Sequence, residues 1–377
     1  MTTNRIKAAG ACAVPTLAAF AASACFAAAA AFAAAPVQTD PEAGFAHATA
    51  DLQLRFPRDY GSHPDFRTEW WYVTGWLETD AGETLGFQAT FFRSRPSAAD
   101  ANPSAFAPRQ LLIGHCAISD PAQGRLWLDQ RIRRGGMGLA GAQQGDTRVW
   151  IDDWELSRGA TGYQLGVAAS DFALRLQLQA TQPPMLNGVE GLSRKGPSPL
   201  SASAYYSEPQ LRVSGRIGRR HVDSGVHGEA WLDHEWSSDY LEPDATGWDW
   251  VGINLRDGGA LMAFRIRNAQ GQALWTGATL RESSGHVRTY GGGDVAFTAG
   301  RRWRSGRTGV SYPVAWRLRV GTRVFDVVPL MDDQENDARA SSGVLYWEGA
   351  VQLEQQDRSV GRGYLELTGY DAPLRLR

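Results

Sequence analysis

Between Trp231 and Ser238 the chain reads WLDHEWSS, with Asp233, His234 and Glu235 held between two indoles in a stretch that otherwise alternates as a β-strand does. Charged groups are costly to bury in such a segment, so their presence asks for a chemical reason. In an extended chain Trp231, Asp233 and Glu235 share one face, and Leu232, His234 and Trp236 share the other. An imidazole beside an indole on the wall of a dry cavity is a proton-handling pair, which makes His234 and Trp236 candidate site residues. Asp233 and Glu235 are expected to stay in water or to meet an arginine. A histidine making one buried hydrogen bond next to a core tryptophan is the plainer reading of the same pattern.

A second cluster, GWDW, sets Asp249 between Trp248 and Trp250. A carboxyl group desolvated among indoles keeps its proton to higher pH, so Asp249 is a candidate acid. Strand alternation equally allows it to face away from both rings and pair with an arginine. Upstream, HPDFRTEWWY gathers His63, Asp65, Arg67 and Glu69 before three aromatics. Here Arg67 and Glu69 are expected to be structural, a paired charge that fixes the register of a strand. His227, Glu229, Asp233, His234 and Glu235 lie close together, but no His-Glu-x-x-His helix or cysteine pair accompanies them, and no metal site is assigned. No glycine-rich nucleotide loop opens a helix and no Gly-x-Ser-x-Gly elbow occurs, so no cofactor and no serine nucleophile are expected.

The elements that must position these groups are strands. FALRLQLQA puts Phe172, Leu174, Leu176 and Leu178 on one side and Arg175, Gln177 and Gln179 on the other. Similar runs recur between Gly, Asp, Ser and Pro clusters, which predicts an all-β protein of antiparallel sheets closed as barrels or sandwiches. The stretches beginning at Trp70 and Trp248 share a design: aromatic, any residue, aromatic, Val, then a turn and a second strand with Phe before Arg. That is the pattern of a duplicated hairpin. Between the halves, Thr181 to Gln210 is rich in Pro, Gly and Ser. It carries Lys195, the one lysine beyond the N-terminal leader, and Tyr205 and Tyr206. Loops of this length serve as lids, binding loops or linkers, so Lys195, Tyr205 and Tyr206 join Trp248 and Trp250 as candidate ligand-binding residues, against the bland alternative of a solvated crossover.

Composition narrows the class of partner. Arg5 and Lys7 precede a long Ala-rich apolar run ending in AFAAAPVQTD, which reads as a secretory signal peptide over residues 1–33, with a periplasmic or secreted protein as the consequence. Cys25 is the alternative lipid-attachment point, although no Leu or Val stands three residues before it. The leader removes two of 38 basic residues and none of 40 acidic ones, leaving 36 − 40 = −4 with no basic block. Nucleic acid and anionic membrane surfaces are therefore not expected partners. Only Cys116 remains beyond the leader, so no internal disulfide can form.

The stretches HPDFRTEWWYVTGWL, KGPSPLSASAYYSEPQLRVSG, GEAWLDHEWSS, GWDWVGINLRDG, YWEGAV and GYLELTGY, spread from His63 to Tyr370, resemble the AttH-like family of secreted lipocalin-like proteins, which includes hydroxyneurosporene synthase, the carotenoid 1,2-hydratase. The resemblance implies two consecutive lipocalin-like antiparallel β-barrel domains, placed at 45–238 and 239–377, with a cavity within or between them. In the family's hydratases a His-x-Trp pair and an Asp beside an aromatic in the following strand serve acid catalysis; His234, Trp236 and Asp249 match. The implied ligand is an apolar small molecule, a carotenoid, isoprenoid or lipid, and the family's association with ABC-type exporters adds transporter components as possible partners. Two readings follow. A cofactor-free hydro-lyase would protonate an alkene from Asp249, steady the cation on the indoles and use His234 toward water. A periplasmic carrier would hold the same ligand without turning it over.

Overall fold

Alternating runs become antiparallel strands of two large sheets. The structure is a computed structural model and describes residues 44–96, 104, 107–219 and 222–374. The expected signal peptide and Cys25 lie outside the described residues. Helical structure among the described residues is confined to single 3-10 turns at Arg58–Tyr60 and Gly292–Asp294, in keeping with a sequence whose period is two throughout.

The first sheet winds from Arg125–Arg134 through Leu111–Asp120, Thr84–Ser94 and Thr68–Thr79 to Val222–Ser237, then through Ala202–Arg219, Phe172–Gln179, Gly162–Ala168 and Trp154–Gly159 to Arg148–Ile151 and Ala140–Ala142. Its two ends approach one another and side chains close the gap. Arg131 donates to the Ile151 carbonyl at 3.3 Å and to the Ala168 carbonyl at 2.8 Å, satisfying backbone acceptors that a missing strand would have served.

The second sheet repeats the scheme. Val287–Gly291, Ala273–Arg281, Ala260–Arg267 and Gly247–Leu255 lead to Arg358–Leu367, then Val344–Gln355, Arg323–Pro329, Trp316–Val320 and Val295–Ala299. In both sheets the leading strand of the duplicated hairpin pairs with the last strand of its own half: Thr68–Thr79 with Val222–Ser237, and Gly247–Leu255 with Arg358–Leu367. The fold is thus all-β and built from two barrel-like halves of related topology.

Each sheet encloses a core of its own. One contains Trp71, Phe87, Trp154 and Leu232, the other Val251, Trp316, Leu318 and Trp347. A third apolar cluster joins the halves, with Tyr72, Trp76, Tyr205 and Trp231 from the first meeting Trp250, Met262, Phe264 and Tyr364 from the second. Burying a large apolar side chain is worth roughly 1.5–3 kcal/mol, so this seam fixes the halves as firmly as a core does. Two glycines make the close approach possible. A Cβ on Gly86 would stand 2.6 Å from the Tyr364 hydroxyl, and one on Gly252 would stand 3.0 Å from the Trp231 ring. Trp76 Nε1 donates to the Gly363 carbonyl at 3.0 Å, and Asn254 Nδ2 to the Ala230 carbonyl at 3.0 Å, so polar groups in the seam are also satisfied.

The connection read as a loop is only partly one. Met185–Leu186 and Leu192–Arg194 pair with Ala202–Arg219, and Tyr205 and Tyr206 belong to that long strand. Lys195 is buried, because its segment folds back under the seam instead of crossing solvent.

Candidate functional site

The faces of Val222–Ser237 decide where the site lies. Leu232, His234 and Trp236 point into the first barrel, which is packed solid. His234 Nδ1 meets the Tyr206 hydroxyl at 3.0 Å, Nε2 meets Glu69 Oε1 at 2.9 Å, and the ring stacks on Trp71 at 4.6 Å. Burial pushes the His234 imidazole down to about 4, against the pull of Glu69, so it is neutral at pH 7. The expectation that His234 and Trp236 line a cavity is therefore reversed, since the barrel's inner face is filled core. Tyr206 goes with them.

Glu69 is the centre of this buried network. Arg93 Nε holds its Oε2 at 2.7 Å, the His63 ring reaches Oε1 at 2.8 Å, and His63 lies flat on Trp236 at 3.7 Å. Burial alone would raise the Glu69 carboxyl, but the Arg93 charge and the two imidazoles hold it well below its ordinary value. Its charge partner is Arg93, not the adjacent Arg67. Ligand-type atoms of His63, Glu69 and His234 fall within 4.8 Å of one another, the one grouping among the described residues that could hold a metal. With the Arg93 guanidinium already on Glu69, the arrangement is a closed hydrogen-bond network that repels a further cation.

Asp249 also departs from expectation. Trp248 and Trp250 point into the seam, so Asp249, between them, points into the second barrel, where Arg265 Nε reaches it at 2.5 Å, Arg267 Nε at 3.5 Å and the Tyr370 hydroxyl at 2.7 Å. Asp249 is thus the shared partner of two guanidinium groups and a phenol, not a carboxyl set among indoles at a cavity, and the geometry that made it a candidate acid is absent.

A cavity of about 310 Å³ lies on the other face, between the halves. Trp70, Tyr72, Phe92, Tyr240, Trp248 and Trp250 form aromatic walls, and Leu111, Ile113, Ile132, Val344 and Leu374, all at least partly exposed, line its outer part. The predicted Trp248 and Trp250 are thus at the cavity, and Tyr205 and Lys195 stand directly behind it. Five acidic residues border it: Glu69, whose carboxylate is taken up by Arg93 and the imidazoles, and Asp233, Glu235, Glu348 and Glu366.

These acids divide by their partners. Lys195 Nζ pairs with Glu235 at 2.9 Å, and Ser203 donates to the same carboxylate. Asp233 accepts from Ser207 at 2.5 Å, Trp231 Nε1 at 2.6 Å and Tyr205 at 2.7 Å, and Tyr205 in turn accepts from Trp250 Nε1 at 3.0 Å. Burial nevertheless lifts Asp233 to about 7, the three donors opposing the rise. Glu348 and Glu366 face each other directly on neighbouring strands. Glu366 accepts from Trp248 Nε1 at 2.9 Å and is raised by burial to about 7. Burial, then the Glu366 charge, raise Glu348 well above the carboxylate range. The Tyr72 and Tyr346 hydroxyls approach Glu348 and oppose the rise, yet its Oε1 is left without a hydrogen bond, as is the Tyr72 hydroxyl. Tyr346 is held by His115 Nδ1 at 2.8 Å, and burial lowers His115 to about 4. Two carboxyls that cannot both ionise in a dry site keep a proton at neutral pH.

The sequence carries a sign of this pair that pattern reading passed over. Tyr346-x-Glu348 and Tyr364-x-Glu366 place an acid two residues after a tyrosine, on the same face, in the two strands YWEGAV and GYLELTGY. One such acid is unremarkable; two in register are not.

The raised Asp233 has a thermodynamic consequence. Its folded pKa of about 7 exceeds the ordinary 3.8, so its contribution favours the fold below about pH 4 and is lost as pH rises toward 7. Asp233→Asn removes that component, and the variant's Tm relative to wild type is expected to climb between pH 4 and pH 8. Calorimetric scans across that range check it, and a flat difference contradicts the protonation assigned to Asp233.

Fold and cavity together define a class: an all-β protein of two related barrel halves with a carboxyl-lined aromatic cavity in the seam. The chain belongs to the AttH-like family, whose model matches residues 47–370. A crystal structure of an AttH assignment from Nitrosomonas europaea is similar at 52% identity and TM-score 0.81, covering 86% of this chain and 100% of that one. Kievitone hydratase from Nectria haematococca shares the fold at 13% identity and TM-score 0.65, covering 87% of this chain and 97% of its own. No curated protein matches the sequence.

Proposed function

We propose that this exported, AttH-like protein binds a compact apolar ligand, or the apolar end of a longer one, in the seam cavity and adds water to a carbon–carbon double bond. The observation that carries the reading is the Glu348/Glu366 pair, two facing carboxyls on the floor of an aromatic cavity with Glu348 Oε1 unpartnered. Protonated Glu348 gives its proton to one alkene carbon, forming the C–H bond and leaving a tertiary cation. The indole and phenol faces around the cavity steady that cation. Water forms the C–O bond, and its surplus proton returns to the carboxyl pair, which restores the acid. Tyr346, held by His115, is placed to anchor the water.

A cavity of about 310 Å³ is at the small end of the ~300–1,000 Å³ usual for ligand sites, so a long polyene enters only by one end. The apolar outer residues Ile113 and Ile132 suit a tail that stays outside. Hydratase chemistry in a protein of the same fold, kievitone hydratase, agrees in class.

Incubation with short isoprenoid alkenes and an acyclic carotenoid end group in ¹⁸O-water tests the reading. Labelled alcohol is the expected product. Saturable quenching of tryptophan fluorescence without product would leave the periplasmic carrier, and no binding would remove the ligand site altogether.

A further inference from the structure

The wall of the cavity already shows how this protein solvates an ammonium group. Lys195 Nζ lies 4.2 Å from the Phe264 ring centre and 5.0 Å from those of Tyr205 and Tyr240, with the Glu235 carboxylate at 2.9 Å. Three aromatic faces and one carboxylate replace the water that a fully buried ammonium has lost.

On the cavity side of Tyr240 the same ingredients recur, and the cationic residue that borders the cavity, Arg93, is already committed to Glu69. Tyr240 packs edge-on between Trp70, at 5.3 Å, and Trp248, at 5.5 Å, while Trp250 packs against Tyr72 at 5.4 Å. Glu348 and Glu366 lie among these rings, and no ion pair reaches Asp233, Glu348 or Glu366 among the described residues. The unpartnered Oε1 of Glu348, on a residue 2% exposed, marks where a donor or positive charge is missing.

We propose that the seam cavity selects organic cations, taking an ammonium-bearing small molecule whose charged head sits among Trp70, Trp248 and Trp250 against the Glu348/Glu366 pair. The inference rests on the reading of the cavity as a ligand site, but it adds a charge requirement that an apolar-ligand site lacks. A neutral ligand leaves the acids desolvated and uncompensated; a cation pairs with one of them and gains the ring faces. The preference also extends to the carbocation of the proposed hydration, which a quaternary ammonium matches in charge.

Binding is then linked to protons. An arriving cation favours the ionised form of the carboxyl pair, so it expels a proton near pH 7, where Glu366 titrates. The other ionisable groups near the pair are Tyr72, Tyr240, Tyr346, Tyr364, Asp233 and Glu235, with Lys195 behind Glu235; Cys116, raised by burial, and His115, lowered by it, are uncharged there. The tyrosines stay neutral there, and the Lys195–Glu235 pair is already internally compensated.

Benzyltrimethylammonium and its uncharged carbon isostere neopentylbenzene form the test, titrated into the full-length folded protein by calorimetry at pH 8. The cation is expected to bind roughly tenfold tighter or better than the isostere. At pH 7 its binding heat should vary with the ionisation enthalpy of the buffer in the sense of proton release. Glu348→Gln should bring the ratio of the two affinities toward one, with the larger loss falling on the cation; Glu366→Gln is the second variant should the first not fold. Equal or tighter binding of the neutral probe overturns the cation preference and leaves the hydration reading standing. If neither probe binds, the cavity is not a ligand site and both fall.

Discussion

Glu348→Gln is expected to lower alkene hydration by ~10²–10⁴-fold, the range attributed to general acid catalysis, while changing affinity for a neutral ligand only a few-fold. Gln has the shape of a protonated Glu and donates a hydrogen bond, but it cannot release a proton. No ion pair reaches Glu348 among the described residues, so the substitution breaks none there, and Tm should hold within a few degrees. Asp249→Asn should behave in the opposite way. Neutralising that carboxylate leaves Arg265 and Arg267 without their shared counter-ion, so stability falls and turnover per folded molecule persists. Product formation by chromatography, affinity by fluorescence titration and Tm for both variants separate these outcomes. Loss of turnover in Asp249→Asn with full stability, together with an active Glu348→Gln, would move the acid back to Asp249.

The contrast shows what the sequence makes legible. Strand periodicity, the duplicated hairpin and the two-barrel class follow from local pattern, because period two and turn residues are local properties. Which face of a strand is wet is not local. WLDHEWSS has ionisable groups on both faces, and either could line a cavity. The decision depends on the second barrel: its hairpin brings Trp248 and Trp250 against Tyr240, Tyr72 and Tyr205, and so opens the cavity on the Asp233/Glu235 side. The inner side is closed by Trp71, Tyr206 and His63 packing on His234 and Trp236. Pairing partners far apart in sequence are equally hidden. Glu69 lies two residues from Arg67, which local spacing favours, yet the register with Thr84–Ser94 puts Arg93 directly opposite it. Glu348 and Glu366 acquire their chemistry only from facing each other across the last hairpin, although each tyrosine-x-glutamate was visible by itself.

Arg93→Ala should be the most destabilising single change in the first barrel, at about 3–5 kcal/mol. Arg93 is 1% exposed, and its guanidinium holds Glu69 at 2.7 Å, the His63 carbonyl at 2.8 Å and the Phe66 carbonyl at 3.0 Å. Removing it leaves a buried carboxylate with only imidazoles for company and two carbonyls unsatisfied. In the wild type Glu69 sits well below its ordinary 4.5, so its contribution is present above that pH and is lost as pH falls further. Without Arg93 the burial that raises Glu69 is unopposed by that charge, and the variant should recover relative to wild type as acid neutralises the carboxyl. Denaturant unfolding at pH 8 and pH 5 measures the gap, which should narrow at the lower pH. Adding Glu69→Gln to Arg93→Ala should restore part of the loss, since the uncompensated charge is then gone. The exposed pair Arg216–Asp223 supplies the control: Arg216→Ala should cost no more than about 1 kcal/mol at either pH. If Arg93→Ala costs no more than that control, the Glu69 network is not what holds Thr68–Thr79, Thr84–Ser94 and Val222–Ser237 in register around the barrel's filled interior.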